Sequence, residues 1–297
     1  MLYKQVLQNK RKTIWLITVF SIIVLAVGWA IGYFFSDSPL AGLIITLIIV
    51  AFYVPITYAT ANSQVLNMAG AKKIKREDHP QLFDVVEELS LAARIPMPDV
   101  YIVNDPAPNA FATGIKPEKA SVAFTTGLLK RLNREEISGV AAHEISHIRN
   151  YDIRLMTVCI ALVGVIVLLA HFGSRLLLFG GGRRGGNRKS NPAVMIIALV
   201  FIILAPIAAQ FVQLAVSRNR EYLADASAVE LTRNPTGLIN ALTKISQDDN
   251  DVKNAQKATA SMYIALPLGR KSRKKKGKNW WATHPPMESR IERLQQM

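Results

Sequence analysis

Residues 133–155 read NREEISGVAAHEISHIRNYDIRL, and how this stretch folds decides the rest of the molecule. Asn133 followed three positions later by Glu136 is the pattern of a capping box, in which each side chain satisfies the other's free backbone N–H. Ile137, Val140, Ala141, Ile145 and Ile148 then recur at helical spacing, so a helix with one apolar face is predicted. His143 and His147 are four apart on it and share a face, with Glu144 beside them. Two imidazoles on adjacent turns can converge on one metal ion, and the flanking carboxylate is placed as a base rather than as a ligand. Two incidental histidines on an amphipathic helix are the plainer alternative. The agreement of cap, periodicity and spacing favours the metal.

Working outward, this helix runs directly into Leu155–Phe172, an apolar run long enough to cross a bilayer core of about 30 Å, and Pro192–Val216 is another. Two more lie upstream, Ile14–Phe35 and Leu40–Ala59, separated by a short turn. The first is too long for the apolar part of a signal peptide, lacks a small-residue cleavage site and is soon followed by a second span. Four hydrophobic helices are therefore expected. Between the two pairs the chain is soluble in character: Pro80 opens a helix with Leu82, Val85, Val86 and Leu89 on one face, and DVYIVN at 99–104 and ASVAFT at 120–125 read as strands. NAFATG at 109–114 is a third strand or a loop. After the fourth run, helices are expected over Ser217–Thr232, from Pro235, and from Met287. The expected organisation is a membrane hairpin over 1–61, a first catalytic part over 62–154, a second hairpin over 155–216 and a second catalytic part over 217–297.

The chain has 297 residues, 50% of them hydrophobic, and a formal net charge of +15 from 36 basic and 21 acidic residues; its mean hydropathy is +0.20. That is too apolar for an ordinary soluble domain. The positive charge flanks the apolar runs, with Lys4, Lys10, Arg11 and Lys12 before the first and Lys72, Lys73, Lys75 and Arg76 after the second, as the positive-inside rule places cytoplasmic loops. The third cluster, from Arg270 to Lys278, lacks the aromatic interleaving of a single-strand binder, so a lipid surface is expected as partner and nucleic acid is not. Cys159 is the only cysteine, which excludes an intrachain disulfide; it reads as a small buried hydrophobe. His79 reads as solvated in a polar turn and His171 as interfacial.

A hydrolytic metal site needs a third protein ligand. Glu221 stands out, with Asp225 one turn further along the same helical face, where it can accept the free ring N–H of a ligating histidine. Two solvated carboxylates are the alternative. If the third and fourth runs are antiparallel neighbours, however, Glu221 returns to the membrane face that holds His143 and His147.

HEISH at 143–147, EYLAD at 221–225, NAFATG at 109–114 and THPP at 283–286, in this order and among four apolar runs, make the whole chain resemble the HtpX-type membrane metallopeptidases, relatives of the CAAX prenyl endopeptidases. The resemblance implies an α+β fold, mostly helical, with a zincin-like catalytic domain bearing a small sheet. It implies one Zn²⁺ per chain held by His143, His147 and Glu221, with Glu144 as general base. It also implies that Asn109 and Ala110 hold the substrate backbone and that His284 steadies the oxyanion; a structural histidine ahead of a Pro-Pro turn is the other reading of His284. Arg290 reads equally as a core ion-pair partner or as a solvated helix arginine. The expected activity is endoproteolysis of membrane or membrane-associated polypeptides in quality control, with CAAX-type processing as the nearest alternative and metal transport or sensing a more distant one. The expected location is the cell inner membrane, multi-pass, with the catalytic part facing the cytoplasm. The arginine-rich loop between the third and fourth runs opposes full crossing of that hairpin, which the length of the runs still favours. Nothing in the sequence speaks to oligomeric state.

Overall fold

The computed structural model describes residues 2–36, 38–163, 218–253, 259–267 and 285–297. Two long helices, α1 (Leu2–Ser36) and α2 (Pro39–Met68), pack together as a hairpin. Each is long and apolar enough to cross a bilayer. Their outer faces present Ile14, Trp15, Ile22, Leu40, Ile45 and Phe52, each more than half exposed, which suits lipid rather than water. Both helices outrun the apolar segments that reveal them: α1 begins near the N-terminus and α2 continues nine residues past Ala59, because backbone hydrogen bonding does not stop where the hydrophobic run does. The third and fourth runs fall outside the described residues except for 155–163. Residues 152–163 are helical, and Leu155, Met156, Cys159 and Leu162 pack with Leu16 and Phe20 of α1.

Behind the hairpin lies a four-stranded sheet of order β1-β2-β4-β3, formed by β1 (Ala71–Lys73), β2 (Asp99–Val103), β3 (Ala110–Gly114) and β4 (Ala120–Thr125). β2 and β4 are parallel, and both edge strands are antiparallel to their neighbours. The segment left open between strand and loop is strand β3, which pairs Ala110 with Phe124 and Gly114 with Ala120. Every residue of β3 and β4 is buried, so their alternation of polarity is weak.

Helices α3 (Pro80–Ala93), α5 (Arg134–Arg149), α6 (Arg218–Thr232), α7 (Pro235–Gln247) and α8 (Met287–Leu294) complete the core, with the short α4 (Thr126–Arg131) leading into α5. α5 is central, with Val140, Ala141, Ile145 and Ile148 fully buried between the sheet and the other helices. Its capping box is complete: Glu136 N donates to Asn133 Oδ1 and Asn133 N to Glu136 Oε2, both at 2.9 Å. α5 crosses α7 at a glycine pair, and a Cβ on Gly139 would stand 2.6 Å from the backbone nitrogen of Leu238. His79, expected to be solvated in a polar turn, is half-buried there and also caps α3; its Nδ1 accepts from Leu82 N at 3.3 Å. A histidine preceding Pro80 can take this role because the proline leaves the first helical position without an N–H to satisfy.

Candidate metal centre

α5 and α6 pack side by side and bring the expected ligands together. Nε2 of His143 and Nε2 of His147 are 3.2 Å apart, the rings nearly perpendicular. Glu221 on α6 presents Oε2 3.8 Å from the first nitrogen and Oε1 3.7 Å from the second. One donor atom from each of the three lies within 4.8 Å of the others.

Each imidazole is held from behind by a carboxylate. Nδ1 of His143 lies 2.9 Å from Oδ1 of Asp225, the orienting contact expected of that residue. Nδ1 of His147 lies 3.1 Å from Oδ2 of Asp152. With each Nδ1 beside a carboxylate, both Nε2 atoms are left to face the common point.

The fully buried Arg290 closes the arrangement. Its Nε and Nη2 donate to the two oxygens of Asp225 at 2.8 and 2.6 Å, and Nη1 donates to the carbonyl of Ile264 at 3.0 Å. The solvated reading of this arginine is overturned: a bidentate pair with Asp225 explains why a guanidinium stays in the core. Burial alone would raise the Asp225 carboxyl, but Arg290 and His143 outweigh it and hold it down at about 2.

Burial pushes the Glu144 carboxyl up to about 7, the neighbouring Glu221 adding to it against the opposing pull of His147. Its Oε1 has no hydrogen-bond partner among the described residues. Burial disfavours both imidazolium ions. For His143 burial prevails, with the nearby Arg290 adding to it, and the pKa falls to about 4; for His147 the hydrogen bond to Asp152 and the charges of Glu221 and Glu144 win, raising it to about 9. The His147 side of the site thus favours positive charge. Glu144, His147, Glu221, Ala112, Arg220 and Met262 are among the residues lining a cleft of about 400 Å³, open mouth included.

The profile of the Peptidase M48 family matches residues 76–297, well over half of the chain. The chain belongs to peptidase family M48. It is 51% identical over 307 residues to the protease HtpX homologue of Listeria monocytogenes serotype 4a strain HCC23, 48% over 303 to that of Ligilactobacillus salivarius strain UCC118 and 47% over 301 to that of Streptococcus uberis strain 0140J, each alignment covering all of both chains. Among solved structures, S. mikatae Ste24p is similar with a TM-score of 0.47 at 19% identity, over 98% of this chain and 67% of that one.

The protein is thus a membrane-associated M48 metallopeptidase, and its donor set fits a metal ion. Ligands at about 2.0–2.1 Å on a tetrahedron lie roughly 3.3 Å apart, close to the 3.2 Å between the imidazole nitrogens. The Glu221 carboxylate stands beside both imidazole nitrogens, and Glu144 lines the same cleft with a buried oxygen that has no partner among the described residues, an arrangement that a cation would relieve.

Asn109 and Ala110 sit apart from this centre's open side. Asn109 is fully buried, its Nδ2 donating to Ala265 O at 2.8 Å and its Oδ1 accepting from Ala265 N at 3.2 Å, while Ala110 O accepts from Ile264 N at 2.9 Å. His284 lies outside the described residues. In this M48 peptidase two contributors escaped the sequence reading: Asp152, five residues past His147 (152 − 147) and beyond the end of α5, and Asn9 in α1. Only Asp152 carried a signal, as an acidic residue in the turn that follows the motif.

Proposed function

We propose that the protein is a zinc-dependent endopeptidase of the bacterial inner membrane, with its catalytic centre on the cytoplasmic side, acting on membrane proteins and membrane-associated polypeptides. The observation that carries the chemistry is the convergence of His143 Nε2, His147 Nε2 and the Glu221 carboxylate beside the buried carboxylate of Glu144. Two imidazoles and one carboxylate are a donor set that zinc takes in hydrolytic sites. Bound there, zinc supplies the Lewis acidity that activates water and polarises the scissile carbonyl.

The chain's own residues do the rest. Glu144, buried beside the ligands with one oxygen unpartnered among the described residues, accepts a proton from the attacking water and passes it to the leaving amine. Asp225 and Asp152 fix the ring orientation of the two imidazoles, and Arg290 fixes Asp225. His284 supports the developing negative charge on the carbonyl oxygen. Asn109 and Ala110 take the substrate backbone once Ile264 and Ala265 yield their hydrogen bonds; until then Ala112, which lines the cleft, is the part of β3 that meets substrate. The basic residues ahead of α1 support a cytoplasmic N-terminus, and two crossings return β1 to the same side.

Metal analysis of the purified protein beside cleavage of casein and of a membrane-anchored reporter tests this reading. About one zinc per chain, with cleavage that stops on chelation, resumes on adding zinc and is absent from Glu144→Gln, is expected. A metal-free protein that cleaves would overturn it.

A further inference from the structure

The first membrane helix reaches the metal centre through one side chain. Asn9 of α1 is 4% exposed, and its Nδ2 donates to Oδ1 of Asp152 at 2.6 Å and lies 3.3 Å from the carbonyl of Asn150. Two acceptors face this end of the amide, so chemistry requires the nitrogen rather than the oxygen to point there. The other oxygen of the same carboxylate, Oδ2, holds Nδ1 of His147. Asp152 is therefore gripped from one side by the membrane helix and from the other by a metal ligand.

The corner that carries Asp152 needs such a grip. Tyr151 has φ of 59°, the left-handed region that residues with a Cβ disfavour. Lys10, next to Asn9, sets its ammonium group 4.8 Å from the centre of the Tyr151 ring. Arg220 Nη1 stands 3.9 Å from Asp152 Oδ1, too far to fix the carboxylate's orientation alone. Among the described residues, Asn9 is the group within hydrogen-bond distance of that oxygen.

We propose that Asn9 is a positioning residue of the metal centre: acting through Asp152 it sets the orientation of His147, so that metal affinity depends on the docking of α1. This rests on His143, His147 and Glu221 being the ligands. Partners that orient a ligating histidine commonly govern metal affinity by about 10- to 100-fold. Asn9 acts one step further back and is expected to contribute about tenfold, at the lower end of that range.

The test uses the full chain in detergent, with Zn²⁺ affinity from chelator competition and the visible absorption of the Co²⁺-loaded protein as a direct view of ligand geometry. His147→Ala reports on the ligand reading itself and should lose tight binding; if it does not, the ligand reading fails and the role of Asn9 falls with it. Given that loss, Asn9→Ala should weaken Zn²⁺ binding about tenfold and alter the Co²⁺ bands. Asn9→Leu, which keeps a branched side chain in place and removes the donor, should do the same. Neither change should weaken binding further in an Asp152→Ala background, because the two residues act in series. Lys10→Ala, which removes the ring contact without touching Asp152, should bind metal like the parent. Parental affinity and an unchanged Co²⁺ spectrum in both Asn9 variants, or additive losses with Asp152→Ala, would overturn the proposal while leaving the ligand assignment intact.

Discussion

Glu144 and Glu221 are both buried beside the two imidazoles, yet their loss should read differently. Glu221→Ala deletes a donor atom, so bound metal, measured by mass spectrometry of the purified protein, should fall together with activity. Glu144→Gln leaves the three ligands in place, and metal content near parental should accompany a fall in turnover of about 10²- to 10⁴-fold. Unchanged zinc occupancy in Glu221→Ala would point to another third ligand. Arg290 offers a stability test: Arg290→Met leaves the buried Asp225 carboxylate without its cation, with His143 as its remaining partner, and should cost about 3–5 kcal/mol, read by thermal or denaturant unfolding. A loss below about 1 kcal/mol, the level of an exposed pair, would mean that water reaches Asp225. Glu221 and Asp225 were legible in the sequence because they repeat at four residues on a helix whose return to the site follows from the apolar runs. Arg290 was not, since its only local context is the short amphipathic α8, where either face suits an arginine.

Among the elements, α5 and α7 meet where a single atom's absence lets their backbones approach. A methyl group at Gly139 would enter the backbone of α7 at Leu238, and no side-chain rotation relieves a clash with backbone. Gly139→Ala should therefore destabilise the fold by about 1–3 kcal/mol in an unfolding measurement, while the ligand residues themselves are untouched. An unchanged midpoint would show that the two helices separate at little cost. The sequence announced the start of α5 because its N-terminus is a reciprocal side-chain lock, but not its end at Arg149, where a turn at Asn150 and Tyr151 interrupts the expected run into Leu155; it announced β2 and β4 because β-branched residues gather in them. β3 stayed ambiguous: its alanines and glycine have weak strand preference, and the strand forms because β4 offers it a full ladder. β1 is three residues long, too short for any periodicity. The helical continuations of α1 and α2 beyond their apolar runs were illegible for a different reason, as hydropathy marks where lipid lies and not where a helix ends.

For the whole molecule, the decisive arrangement is that the apolar hairpin of α1 and α2 packs directly against the chain that follows the HEISH motif, and Asn9 ties it to the candidate centre. Asn9 lies five residues (14 − 9) before Ile14, which is 62% exposed and begins the apolar outer face of α1. At 1.5 Å per residue that is about 7.5 Å of helix. With α1 as a membrane span, as the proposed function has it, the centre would be held at one height above the hydrocarbon, because Asn9 joins it to that span with no linker between. The expected outcome is that such a protein works as a ruler, the bond that is cut depending on how far it stands from the bilayer. In a reporter anchored by its own membrane span and followed by a uniform polar linker, cuts mapped by mass spectrometry should fall in a narrow window counted from the end of the span. Residues inserted between span and linker should leave that window where it is while the linker sequence slides through it. Cuts that travel with a particular sequence instead would show that side chains, and not height, choose the bond.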